Sequence, residues 1–192
     1  MTQKPLKLKA TDSLETPNWL FDRLDAEFRF TLDAAASATN AKRPRHYTVE
    51  DDGLHQPWGH ERVWCNPPYS GGHLPRWVGK AYCEYRDHGV TVVMLLPVSV
   101  SSKWWRDYAV RGEVFYFNRR IKFGSTHSTG LRDSILLVFR HPRWYPLGDT
   151  DADQHARGEW DRNWRDLMYP AADLAGRWWS SPSSPKEPCL LA

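Results

Sequence analysis

Val63-Trp64-Cys65-Asn66-Pro67-Pro68-Tyr69-Ser70 is the stretch on which the rest of the chain is read. Val63-Trp64-Cys65 is a short apolar run of the kind that ends a buried strand. Each of the two prolines fixes φ and removes a main-chain donor. Asn66 and Pro67 are pushed to extended geometry by the proline that follows each. The outcome is a stiff, protruding stretch with free carbonyls and an aromatic ring at its end. Ligands of open α/β sheets bind at such carboxyl ends.

Downstream, Gly71-Gly72 gives a flexible joint, and Leu74, Trp77-Val78, Ala81-Tyr82 and Tyr85 mark one face of a helix that Gly89 ends. Those aromatics read as core. Val90 to Leu96 is a continuous apolar run, as expected of a central strand covered on both faces. Ser101-Ser102 caps a helix carrying Trp104-Trp105 and Tyr108-Ala109. Val114 to Phe117, Arg120 to Phe123 and Ser134 to Phe139 read as strands, the last two paired with each other.

Upstream, Thr16-Pro17 reads as an N-cap followed by proline at the first helical position. Leu20, Phe21, Leu24 and Phe28 then give a helix of about three turns. Arg29 to Asp33 reads as the first strand, and Ala34-Ala35-Ala36-Ser37 as a small-residue turn. Only 32 residues lie between Asp33 and Asn66. That is too short for two more strands with their helices, so either a shortened sheet or a loop replacing a helix is expected. Asp51-Asp52-Gly53-Leu54 reads equally as a surface turn and as an acidic contact to a ligand.

The full chain has 192 residues and a net charge of +3, which fits one domain of about 100–200 residues. Residues 1–13 read as a loose leader, 14–179 as a single domain and 180–192 as a disordered Ser/Pro-rich tail. Residues 141–179 hold five tryptophans, with a helix expected around Glu159 to Met168 and no assigned role. No apolar run approaches the ~20 residues that span a bilayer, and no signal segment opens the chain. Cys65, Cys83 and Cys189 are neither a disulfide framework nor a zinc pattern, and suit a reducing cytoplasm. No metal-ligand constellation is present, and His55, His60 and His73 read as surface residues. Charge is unevenly spread: Ser101 to Tyr145 holds nine Lys or Arg against three Asp or Glu, leaving the remainder net negative. Such a block is the footprint of a surface facing phosphates, or an ordinary solvated face. Arg119, Arg120 and Lys122, beside the small polar loop Gly124–Gly130, are the candidate phosphate contacts.

The Asn66–Tyr69 stretch suits one chemistry in particular. An exocyclic amine is a weak nucleophile because its lone pair is delocalised. The Asn66 side-chain oxygen and the Pro67 carbonyl could accept its two N–H bonds and aim the lone pair at an electrophile. Pro67 and Pro68 hold those acceptors in place beforehand. Tyr69 could stack on a planar base, a contact worth about 1–3 kcal/mol. Cys65 reads as a strand residue, not a nucleophile.

Asn-Pro-Pro-Tyr is the signature of S-adenosylmethionine-dependent amino-methyltransferases. In its wider pattern the chain resembles the phage-type DNA N6-adenine methyltransferase (Dam) family. The pattern runs Thr16-Pro17, Phe30–Ala35, Asp51–Leu54, Trp58, Val63–Tyr69, Leu95–Pro97, Arg120–Phe123 and Ser134–Phe139. The resemblance implies a compact Rossmann-like class I methyltransferase fold of α/β class, and methyl transfer to adenine N6 in DNA with the base flipped out. It implies that Asn66, Pro67, Pro68 and Tyr69 are catalytic. Asp33 would pair with the amino group of S-adenosylmethionine, with Ala34 and Ala35 allowing close approach in place of the usual glycine loop. Thr16 and Pro17 would lie near its methionine end, and Asp51 and Asp52 near its ribose or adenine, where His46-Tyr47 could stack. DNA is the implied partner, and the bacterial host cytoplasm the implied compartment of a phage-borne copy. Cytosine-N4 or protein-glutamine methylation uses similar chemistry, and an inactive DNA-binding or antirestriction protein could keep the fold.

Overall fold

A computed structural model describes residues 14–70, 72–123, 133–140 and 167–170. The leader 1–13, the loop 124–130, most of 141–179 and the tail 180–192 lie outside them.

Among the described residues three α-helices and six strands follow in chain order: α1 (Asn18–Phe28), β1 (Leu32–Asp33), β2 (Arg62–Cys65), α2 (Leu74–His88), β3 (Thr91–Pro97), α3 (Lys103–Asp107), β4 (Glu113–Phe117), β5 (Ser134–Phe139) and β6 (Met168–Pro170). The strands form one mixed sheet in the order β1-β2-β3-β5-β4-β6. The first three are parallel. Strand β5 runs antiparallel between β3 and β4, and β6 antiparallel at the edge. Consequently β1, β2, β3 and β4 all end on one side of the sheet, and β5 begins there.

All seven residues of β3 are buried, because both faces of the sheet are covered. On one face Leu32, Val63, Cys65, Val92, Met94 and Leu96 pack with Trp77, Val78 and Ala81 of α2 and Trp104-Trp105 of α3. On the other, Trp64, Val93, Leu95, Phe115 and Phe117 pack with Leu20, Phe21, Leu24 and Phe28 of α1. The period of two along each strand sorts the side chains into these two layers. Gly89 ends α2 in the left-handed conformation, φ 68°.

The parallel neighbours β1 and β2 are joined by residues 34–61, which carry no helix and only one strand-like bridge, Asp33 to His46. Such crossovers usually hold a helix. Here an irregular loop is pinned by buried side chains. Trp58 is fully buried and donates from Nε1 to the Gly53 carbonyl at 3.0 Å. Its main-chain N–H reaches Glu84, which pairs with Lys80, and the Lys80 ammonium lies over the Trp58 ring. Gly53 is required there: an added Cβ would stand 2.3 Å from the Ala34 carbonyl.

Three expectations need correction. Arg120–Phe123 is no strand and carries only a bridge position at Lys122; the alternation that suggested one comes from Ile121 and Phe123 sinking into the core. Strand β5 pairs instead with β3 and β4. Of the helix expected around Glu159 to Met168, only Leu167 and Met168 are among the described residues, and Met168 opens β6.

Trp58→Phe removes the hydrogen bond to Gly53 and leaves a gap in the core. It should lower stability by about 2 kcal/mol, seen as a lower urea midpoint with an unchanged slope.

Candidate active site

Asn66 follows β2 directly, and its amide is clamped. Nδ2 donates to the Leu14 carbonyl at 2.7 Å and to Thr16 Oγ1 at 3.2 Å. Those two acceptors fix which end of the amide is oxygen. Oδ1 therefore faces the Tyr69 hydroxyl, which donates at 2.8 Å. The same hydroxyl lies 2.9 Å from the Leu95 carbonyl. It has one proton for these two acceptors. Burial pushes the Tyr69 hydroxyl pKa far up, so it stays a neutral donor. The ring is half-buried against the core cluster, with its hydroxyl turned inward. Pro67 is buried and Pro68 half-buried between them.

Thr16 is not the N-cap of α1. The helix begins after Pro17 with no side-chain cap, and the Thr16 hydroxyl accepts from Asn66 instead. Pro17 accepts the first helical bonds through its carbonyl.

Asp33 ends β1 next to β2, with Ala34 N–H bonded to the Trp64 carbonyl at 2.9 Å. Its carboxylate is buried, which pushes its pKa up, while main-chain N–H groups of Lys42 and Ala35 pull the other way. Those bonds measure 3.0 and 3.4 Å. The Lys42 ammonium turns away, to Glu15 and Asn18. A buried carboxylate held by main-chain donors is a demanding environment that suits an added cation. The segment Leu14–Asn18 thus touches both centres: Asn66 directly, and Asp33 through Lys42.

The acidic loop lies close by. Tyr47 N–H bonds the Asp33 carbonyl and Ala36 N–H the Tyr47 carbonyl, both at 2.9 Å. This ladder seats Gly53 against Ala34. The Asp51 carboxylate accepts from the Thr48 N–H and hydroxyl, which holds it below the usual carboxylate range. The Asp52 carboxylate contacts His55 Nδ1 at 2.7 Å. Both acids are therefore engaged in the turn itself.

Arg119, Arg120 and Lys122 are exposed and follow β4, on the side of the sheet where β2 and β3 end. Arg120 makes an exposed ion pair with Asp133 at 3.1 Å, of a kind worth little. Trp19, in the first turn of α1 and three residues past Thr16, is 48% exposed. Cys65 is fully buried, with its thiol pKa raised by that burial, and it is no nucleophile in this state. Among the described residues no group of His, Cys, Asp and Glu is placed to hold a metal, and no helix is long and apolar enough to cross a membrane.

A family model described as DNA N-6-adenine-methyltransferase (Dam) matches residues 3–143. The chain belongs to the Dam family. The DNA N-6-adenine-methyltransferase of Haemophilus phage HP1 (strain HP1c1) is 38% identical over 128 residues, covering 64% of this chain and 72% of that protein. A Dam relative from Escherichia phage T1, also named DNA N-6-adenine-methyltransferase, is 35% identical over 98 residues, covering 50% of this chain and 40% of that protein. The family match includes every candidate site residue described above.

Sequence reading missed Leu14, whose contribution is a main-chain carbonyl and leaves no trace in residue type. It also missed the Lys42 N–H for the same reason. Trp19 had a signal, a large aromatic flanked by Asn18 and the apolar stripe of α1, but exposure could not be read from it.

The clamp makes Asn66→Asp a sharp probe. A second oxygen would face the Leu14 carbonyl, so the new carboxyl would be held protonated, with a folded-state pKa above the unfolded ~4. The folded state then binds more protons, so its deficit against the native protein grows as pH rises through the raised pKa. About 2 kcal/mol is expected at pH 8 and much less at pH 5, measured by urea unfolding. Equal deficits at both pH values would sink the amide assignment.

Proposed function

We propose that this chain methylates the exocyclic N6 of adenine in DNA, using S-adenosylmethionine, on a shortened Rossmann-like class I methyltransferase fold. The observation that carries the reading is the clamped Asn66 amide beside the buried Asp33 carboxylate, at the carboxyl ends of adjacent parallel strands.

S-adenosylmethionine, when bound, supplies an electrophilic methyl group on sulfur. Asp33 holds the amino group: its carboxylate is already desolvated and oriented by main-chain donors. Ala34 and Ala35 let the ligand approach the chain, and Thr16 and Pro17 border its methionine end. Asp51 and Asp52 lie toward the ribose and adenine. Asn66 Oδ1 and the Pro67 carbonyl accept the two N–H bonds of the target amine and direct its lone pair toward the methyl carbon. Transfer would leave the donor as a neutral thioether and free one amine proton, which Asn66 Oδ1 and the Pro67 carbonyl would hold until it is lost to solvent. Because Nδ2 is tied to Leu14 and Thr16, the acceptor needs no reorganisation during reaction. Pro68 stiffens the turn, and Tyr69 lines the base site. In a duplex the target base must leave the stack. Arg119, Arg120 and Lys122 hold the phosphates beside it, with Trp19 as an exposed aromatic at the rim. The work is done where DNA and cofactor coexist, the cytoplasm of a bacterial host for a phage-borne copy.

Incubating unmethylated DNA with S-adenosylmethionine and the protein should yield N6-methyladenine by nucleoside mass spectrometry. Asn66→Ala should lower the yield at least a hundredfold. N4-methylcytosine instead would move the base assignment, and no modified base would favour a binding-only protein. Replacing Arg119, Arg120 and Lys122 with Gln should flatten the salt dependence of DNA binding, by about 0.9 in the log–log slope for each phosphate no longer neutralised. An unchanged slope would place the phosphates elsewhere.

A further inference from the structure

Residues 14–16 supply the acceptors of the Asn66 clamp, yet little else fixes them. Among the described residues no main-chain to main-chain hydrogen bond joins Leu14, Glu15 or Thr16 to the rest of the protein. Leu14 packs half-buried against the layer that α1 covers, and the Asn66 amide reaches Leu14 and Thr16. An amide cannot be oriented by a segment that only the amide itself holds. A second fastening is needed.

Lys42 supplies it. Its ammonium donates to Glu15 Oε1 at 3.1 Å and to Asn18 Oδ1 at 2.7 Å, the two residues that flank Thr16-Pro17. A charged donor makes such bonds stronger than neutral ones. The Lys42 side chain is only 9% exposed, so its ammonium is spent on the segment and not offered to a DNA phosphate. Its main-chain N–H meanwhile holds Asp33 Oδ2 at 3.0 Å. One residue therefore carries two separable fastenings. The side chain holds the segment that clamps Asn66, and the main chain holds the carboxylate.

We propose that Lys42 is a positioning residue for methyl transfer: its ammonium fixes Glu15 and Asn18, and through them the orientation of the Asn66 amide. This rests on the methyltransferase reading given above. The Leu14 and Thr16 acceptors choose which end of the amide faces the target amine. If they drift, Nδ2 loses its partners and Oδ1 its fixed direction. A misplacement of about 1 Å at a reacting centre can cost about a hundredfold in rate. Cofactor binding at Asp33 asks only for the main-chain N–H of Lys42, which any residue but proline provides.

Lys42→Met keeps the length of the side chain and removes the ammonium. It should lower kcat for adenine methylation about tenfold and leave KM for S-adenosylmethionine unmoved. The side-chain amide protons of Asn66, assigned by their loss in Asn66→Ala, should exchange with solvent faster in Lys42→Met. A native kcat would overturn the proposal. So would a raised KM with kcat kept, which would place the whole effect at Asp33, or a lowered kcat with unchanged amide exchange. Should Lys42→Met not fold, Asn18→Ala decides from an exposed position. It deletes one acceptor and should lower kcat about threefold, again with KM unmoved; an unchanged kcat would refute the strut. If the native protein methylates no DNA while Lys42→Met still speeds the amide exchange, the contact is real. It is then the methyltransferase reading that has failed, and the catalytic role of Lys42 falls with it.

Discussion

The carboxyl edge of this sheet depends on one hydrogen bond, from Asn66 Nδ2 to the Leu14 carbonyl. An isolated asparagine between a strand and two prolines could present either end of its amide to a ligand. The Leu14 carbonyl admits only a donor, so the oxygen must face the other way. Thr16 reinforces the choice, and the Tyr69 hydroxyl meets the oxygen from the far side. The chemistry of the site is thus set by a segment about fifty residues away in the chain. That segment is in turn fastened to the Asp33 loop through Lys42. The two candidate site residues, Asp33 and Asn66, share one strut.

The loop between β1 and β2 shows how a fold can lose a helix and keep its site. A layer of helix would normally cover the first strands. Here Trp58, the Lys80–Glu84 pair and the close seat of Gly53 on Ala34 replace it. Each is a local fastening, and together they hold an irregular segment in register with β1 through Tyr47. Breaking the buried ion pair by removing one partner would strand a charge, so this substitute layer tolerates change less well than a helix face would.

Much of this was legible in the sequence, and the reason is periodicity. The run Val90–Leu96 could only be a strand covered on two sides, and the stripe from Leu74 to Tyr85 with Gly89 behind it could only be a helix with its end. Length limited what could lie between Asp33 and Asn66 to a shortened sheet or a loop in place of a helix, and the loop is what the structure has. What failed had mixed signals. Ile121 and Phe123 alternate like a strand because they are plugs for the core, not because they pair. Thr16-Pro17 has the composition of a helix cap, and nothing local reveals that the hydroxyl is spent on Asn66. At the site, residue types marked Asn66 and Asp33, whereas the main-chain partners of both could be seen only in three dimensions. The roles of the acidic turn and the basic cluster rest on the family resemblance and on their place at the same edge.

The single proton of Tyr69 has a kinetic meaning. Directed at Asn66 it occupies a lone pair of the acceptor; directed at Leu95 it leaves that oxygen open. Passing between the two takes a turn about one C–O bond and moves no heavy atom. Torsions of that size belong to the picosecond-to-nanosecond range, far faster than any loop closure or base extrusion. Under the proposed methyltransferase reading, the acceptor would be released and reoccupied many times while a base dwelt in the site, so its availability would not be the slow step.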